Sequence, residues 1–140
     1  MKISRIAHTA YKVTNMDKSI QFYCDCLGLK KKFELLDNTS HPWIEYLEVA
    51  PMQYIELFYD FENLKKSPQD DNHIGYLHLS LEVDDIQAAK KEFEKKGVEI
   101  VEDIKLGPDY TYQMWIADPD GNRIELMEYT DNSLQKRNNK

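Results

Sequence analysis

The chain writes one pattern twice, and that duplication limits its fold more than any single residue does. The first copy opens with the alternating run Ile6-Ala7-His8-Thr9-Ala10-Tyr11-Lys12-Val13, the second with Tyr76-Leu77-His78-Leu79-Ser80-Leu81-Glu82-Val83. Alternation of apolar and polar residues marks a half-buried strand. Leu77, Leu79, Leu81 and Val83 share one face, and His78, Ser80 and Glu82 the other. Each run leads into a stretch of helical spacing: Ile20, Tyr23 and Leu27 in the first, Ile86, Ala89 and Phe93 in the second. Thr14 or Asn15 can cap the first helix, and Asp84 or Asp85 the second. Gly28 and Gly97 stand where a helix-ending glycine belongs. Three strands are expected after each helix, near 31–36, 43–49 and 53–59, then near 99–103, 112–117 and 123–129. His8 and His78 are 70 residues apart, Gly28 and Gly97 69, and Glu56 and Glu125 69. The pattern predicts an α+β chain of two βαβββ modules within one domain of 140 residues. The modules fall at about 3–60 and 75–130, joined by a polar linker at 61–74 with Ser67-Pro68 and followed by a flexible tail at 131–140.

Composition narrows the class of partner. A formal net charge of −7 argues against nucleic acid and membrane surfaces, which select basic faces, and Lys30-Lys31-Lys32 is too short a cluster to reverse that. No apolar run approaches the ~20 residues of a membrane helix, and the N-terminus lacks the apolar core of a signal peptide. The reading is a soluble, cytoplasmic protein. Cys24 and Cys26 are two apart on the first helix, where such residues do not face each other, so both are expected as reduced thiols.

Four residues carry the chemistry. In each half a His lies on the first strand and a Glu on the last, within Ile55-Glu56-Leu57 and Ile124-Glu125-Leu126. The flanking apolar residues point to one face of the sheet and the Glu to the other. His8, Glu56, His78 and Glu125 thus project from equivalent, helix-free positions. Two carboxylates gathered in a cleft repel and are costly to desolvate; a divalent cation cancels both charges. Two imidazoles and two carboxylates suit Zn, Ni, Co, Mn or Fe better than Ca. His41 and His73 have no repeat partner and are read as loop residues. Asp118-Pro119-Asp120-Gly121 has Pro and Gly where a tight turn places them; Tyr129 and Arg123 occupy the positions at which an EF-hand needs Glu and Gly.

These residues have a familiar pattern. With His8-Thr9, Phe22-Tyr23, Leu27-Gly28-Leu29, Ile55-Glu56-Leu57, His78 and the run from Asp118 to Leu126, the chain resembles the vicinal oxygen chelate superfamily and, within it, glyoxalase I (lactoylglutathione lyase). The resemblance spans Ile6 to about Tyr129. It implies an eight-stranded, incompletely closed barrel, a homodimer, and one divalent ion, nickel, cobalt or zinc, with manganese or iron also compatible. It implies a small-molecule substrate and a lyase or isomerase that shifts a proton next to a carbonyl through a metal-bound enediolate. The metal ligands are then His8, Glu56, His78 and Glu125, and Glu125 or Glu56 is the catalytic carboxylate that carries the proton. Lys12 and Asp60 occupy substrate-gripping positions where glyoxalase I enzymes carry Arg and Asn, so the reaction class carries over more firmly than glutathione does. Trp43, Tyr46, Tyr112 and Trp115 are candidates to line the cleft, with Trp43 and Trp115 taken as substrate contacts. The alternatives are a sugar or hydroxyketone isomerase or epimerase on the same ligands, a non-catalytic small-molecule binding protein, and an iron oxygenase.

Overall fold

In a computed structural model, which describes residues 1–139, each half of the repeat forms its own four-stranded sheet. The chain divides into two compact units, Met1–Lys66 and from Ser67 onward. The first holds β1 (His8–Val13), α1 (Met16–Ile20), β2 (Lys30–Leu36), β3 (Pro42–Ala50) and β4 (Gln53–Tyr59). The second holds β5 (Leu79–Glu82), α2 (Ile86–Lys95), β6 (Ile100–Leu106), β7 (Thr111–Ala117), β8 (Arg123–Tyr129) and α3 (Leu134–Arg137). The strand orders are β1-β4-β3-β2 and β5-β8-β7-β6. In both, the first strand runs parallel to the last and the other neighbours are antiparallel. The α+β architecture of two βαβββ modules is therefore realised in full.

Asn15 and Asp85, rather than Thr14 and Asp84, cap the helices; their side chains accept from the amides of Lys18 and Ala88. Gly28 and Gly97 follow at φ of 80° and 73°, the left-handed conformation that glycine adopts without a Cβ penalty.

The sheet register decides which side chains reach the site. Leu47, Ile55 and Leu57 are fully buried on the face that carries Tyr11, whose ring lies 6.4 Å from that of Tyr23. Burial of each such side chain contributes roughly 1.5–3 kcal/mol. A one-residue slip of β4 would exchange Ile55 and Leu57 for Tyr54, Glu56 and Phe58, so core packing itself fixes where Glu56 points. Met114, Ile116, Ile124 and Leu126 pin the second sheet in the same way, with Ile86 and Phe93 of α2 in that core.

Two sequence expectations are corrected. The first helix is not regular: α1 passes into a π-helical turn over Gln21–Cys26, with the Leu27 amide bonded to the Phe22 carbonyl five residues back. That wide turn moves the buried stripe to Met16, Ser19, Phe22 and Tyr23, leaving Ile20 and Leu27 only half-buried. β5 starts at Leu79, so His78 immediately precedes its strand. Within the tail, α3 follows a fully buried Ser133, and the Leu134 amide donates to the Asp109 carbonyl. No helix among the described residues is long and apolar enough to cross a membrane.

Candidate metal centre

In the first unit, β1 and β4 are paired so that Ala10 faces Glu56, and β3 brings Tyr46 opposite Glu56 from the other side. His8 lies two residues before Ala10, on the same face of the pleat. Its Nδ1 sits 3.4 Å from Oε1 of Glu56. Glu56 is only 5 % exposed. The Glu56 carboxylate opposite it, with burial second, pushes the Tyr46 phenol above its ordinary pKa. The Tyr46 ring is itself clamped, stacked on Phe33 at 4.3 Å and meeting Tyr54 edge-on at 5.9 Å.

The second unit repeats the arrangement with different neighbours. Ser80 faces Glu125 from β5 and Trp115 faces it from β7. His78 Nε2 lies 3.4 Å from Glu125 Oε2, and Glu125 is 8 % exposed. The Trp115 ring packs edge-on against His78 at 4.7 Å, while the Arg123 guanidinium covers it at 4.6 Å. Arg123 donates to Glu102, which also takes the Lys105 ammonium at 2.7 Å. Together with Asp71, Leu77 and Gln113 these groups line an open depression of about 260 Å³ beside His78. Arg123, Glu102 and Lys105 went unread as site residues, since Arg123 on β8 meets Glu102 on β6 only through the pairing of both strands with β7.

Of the expected substrate contacts, Trp115 stands beside His78. Lys12 is exposed and shares the pleat face of His8. Asp60 is occupied by the turn after β4: its two oxygens accept the amides of Glu62 and Leu64 at 3.0 and 2.9 Å. Those amides hold its carboxyl below the usual value, with the Lys12 charge a smaller contribution. The Trp43 ring meets Phe58 edge-on at 5.9 Å. Tyr112 lies on the pleat face opposite Trp115, paired with Glu128, whose carboxylate accepts the Ile86 amide at the start of α2. It does not line the site. Neither Cys24 nor Cys26 forms a disulfide; burial, then Asp25, pushes the Cys24 thiol up.

Each pair fits a metal in donor type and in spacing. A 3.4 Å contact is long for an N–H···O bond. Donors that share a first-row ion at 2.0–2.1 Å each stand about 3.0–3.4 Å apart. Each pair also buries a carboxylate that a cation would neutralise. Among the described residues no group of three or more His, Cys, Asp or Glu comes together. The expected ligands are thus supplied two at a time, one His and one Glu from each unit.

Duplicated βαβββ units, each an open sheet with a His at its first strand and a buried Glu on its last, define a class of two-module α+β proteins. The chain belongs to the Glyoxalase/Bleomycin resistance protein/Dioxygenase superfamily, which matches it over residues 5–126. It is 32 % identical over 129 residues to a protein of Synechocystis named "Probable lactoylglutathione lyase", covering 88 % of this chain and 94 % of that one. It is 33 % identical over 128 residues to the uncharacterized protein YaeR of Escherichia coli, covering 90 % and 97 %. The crystal structure of a glyoxalase family protein from Enterococcus faecalis superimposes with a TM-score of 0.78 at 23 % identity, over 91 % of this chain and all of that one; at that identity the match speaks for the fold.

Proposed function

We propose that the chain is a metal-dependent, glyoxalase I-like lyase or isomerase, with His8, Glu56, His78 and Glu125 holding one divalent ion. The observation that carries this reading is the repeated His–Glu pair, a buried carboxylate with an imidazole nitrogen 3.4 Å away in each unit. Nickel, cobalt and zinc suit that mixed donor set best, and manganese or iron could use it. The ligand list is the same whether the pairs come from one chain or from two copies in a homodimer. When bound, the ion supplies Lewis acidity towards an oxygen of the substrate. The chain's own contribution is a carboxylate, Glu125 or Glu56, that takes a proton from the carbon next to a carbonyl and returns it to the adjacent carbon. Positioned acid–base transfer of this kind contributes about 10²–10⁴ in rate. Trp115 offers an apolar wall beside His78, and Lys12 a single cation on the same pleat face as His8, four residues further along β1. With Asp60 committed to its turn, a glutathione carboxylate would find one ammonium there and no bidentate fork.

The test is turnover of the hemithioacetal of methylglyoxal and glutathione by protein loaded in turn with nickel, cobalt and zinc. Formation of the thioester, abolished in Glu125→Gln, is the expected result. Absence of product with all three ions would remove this substrate from the proposal.

A further inference from the structure

The second His–Glu pair is held differently from the first, because His78 lies one residue before β5 and outside its ladder. His8, by contrast, belongs to β1 and stands in register with Tyr54 on β4. The orientation of the His78 imidazole therefore depends on what packs against its ring, and Trp115 meets it edge-on at 4.7 Å. One row across the second sheet places Glu102 of β6, Trp115 of β7 and Glu125 of β8 in direct register. Arg123 stands two residues before Glu125 on the same pleat face, opposite the small side chain of Ala117. A long side chain there reaches its diagonal neighbour, and the Arg123 guanidinium lies 4.6 Å from the centre of the Trp115 ring. Glu102 Oε1 accepts from Arg123 at 3.0 Å, and Asp71 adds a carboxylate at 3.7 Å. The Trp115 indole N–H donates to Gln113 Oε1 at 3.0 Å. The ring is thus fixed on its face by Arg123 and at its nitrogen by Gln113. Where the first unit carries Tyr54 and Tyr46, ring against ring at 5.9 Å, the second carries an arginine on a tryptophan.

We infer that Arg123 is a positioning residue: anchored by Glu102, it clamps the Trp115 ring, and that ring sets the His78 imidazole with Nε2 towards Glu125. Its consequence for metal affinity rests on the reading of the His–Glu pairs as metal ligands. A guanidinium suits this task better than an ammonium would. It is planar, so it stacks on the aromatic face while its edge N–H groups pair with a carboxylate. The sign of the effect separates positioning from charge. A cation beside a metal site repels the ion, so an Arg123 that acted through its charge alone would, once removed, leave the metal bound more tightly. Acting through Trp115, its removal weakens binding instead, by the 10–100-fold typical when the outer partner of a metal ligand is lost.

The experiment follows the histidine ring protons by NMR in metal-free protein, then titrates zinc and nickel against a competing chelator. It compares wild type, Arg123→Gln, Arg123→Lys, Trp115→Leu and the double variant Arg123→Gln/Trp115→Leu. In Arg123→Gln the His78 resonances should shift, with those of His8 and the metal-free melting unchanged, and zinc and nickel affinity should fall about tenfold or more. Arg123→Lys should lose less. Added to Trp115→Leu, Arg123→Gln should cost nothing further, because two residues acting in series are not additive. Arg123→Lys keeps the charge and a partner for Glu102, so it carries the same comparison should Arg123→Gln fail to fold. Arg123→Gln binding both ions as tightly as wild type or more so, or losing the same affinity with and without Trp115, would overturn the inference and leave the metal site standing. Wild-type protein that binds neither ion would overturn the metal-site reading instead. The metal-free spectra then decide the inference by themselves, and His78 resonances unmoved in Arg123→Gln would overturn it.

Discussion

Next to Tyr46 on β3, Glu45 points to the opposite face and lies 2 % exposed in the helix-side core. Its Oε1 accepts the Lys31 ammonium at 2.9 Å and the Tyr59 hydroxyl at 3.1 Å, while Oε2 has no hydrogen-bond partner. A carboxylate in that position is retained only because a cation and a donor share its charge. Burial, and then donation to Glu45, pushes the Tyr59 phenol up to about 12. Unfolded tyrosine titrates near 10. The folded state therefore keeps a proton that the unfolded state has lost, and stability falls as pH climbs from about 10 through about 12. Below pH ~10 the contribution is fully present. Tyr59→Phe should remove this extra slope and lower stability at neutral pH by about 0.5–1.5 kcal/mol, towards the lower end because Tyr59 is half exposed. Denaturant melts of both proteins at pH values from 8 to 11, chosen to bracket the ~10 of free tyrosine, separate Tyr59 from the other tyrosines. Identical slopes above pH ~10 would show that Tyr59 is not coupled to folding.

Most elements could be read from the sequence because their signals are local. Alternation gave the strands, capping side chains the helix starts, and left-handed glycines the helix ends. What escaped was tertiary. The π-helical turn answers the need to bury Phe22 and Tyr23 side by side, which a 3.6-residue period does not reveal. Tyr46 and Trp115 reach the site while Tyr112 does not, because 112 and 115 differ by an odd number and the pleat sends them to opposite faces. The tail escaped for a similar reason: α3 has no amphipathic period and is tethered by hydroxyls. Ser133 Oγ accepts the Thr130 amide at 2.8 Å and the Thr111 hydroxyl at 3.1 Å, and itself donates to the Tyr110 carbonyl at 3.1 Å. Ser133→Ala removes only the hydroxyl and strands these groups. An unfolding free energy lower by about 1–3 kcal/mol is expected, measured by urea denaturation. A change under ~0.5 kcal/mol, the usual effect of a surface substitution, would mean the tail contributes nothing to the fold.

At the scale of the whole chain, duplication made the two His–Glu pairs visible before any coordinates, since three residue types recur at offsets of 69 or 70. The sequence could not show that each pair closes to 3.4 Å, nor that a tyrosine and a tryptophan distinguish the two. A βαβββ unit with one His and one Glu offers two ligands, fewer than the four a structural zinc requires or the three a catalytic one keeps. Neither half should hold an ion alone, so the stoichiometry should be one ion per chain rather than two. Removing a ligand from either half should then have the same consequence. His8→Ala and His78→Ala should each abolish stoichiometric binding of zinc or nickel, and the double variant should lose little more, because residues that act as a unit are not additive. Metal analysis after dialysis, with circular dichroism to confirm that each variant is folded, measures this directly. Two ions per wild-type chain, or one ion retained in either single variant, would mean that the half-sites work independently and that the duplicated architecture serves some other end.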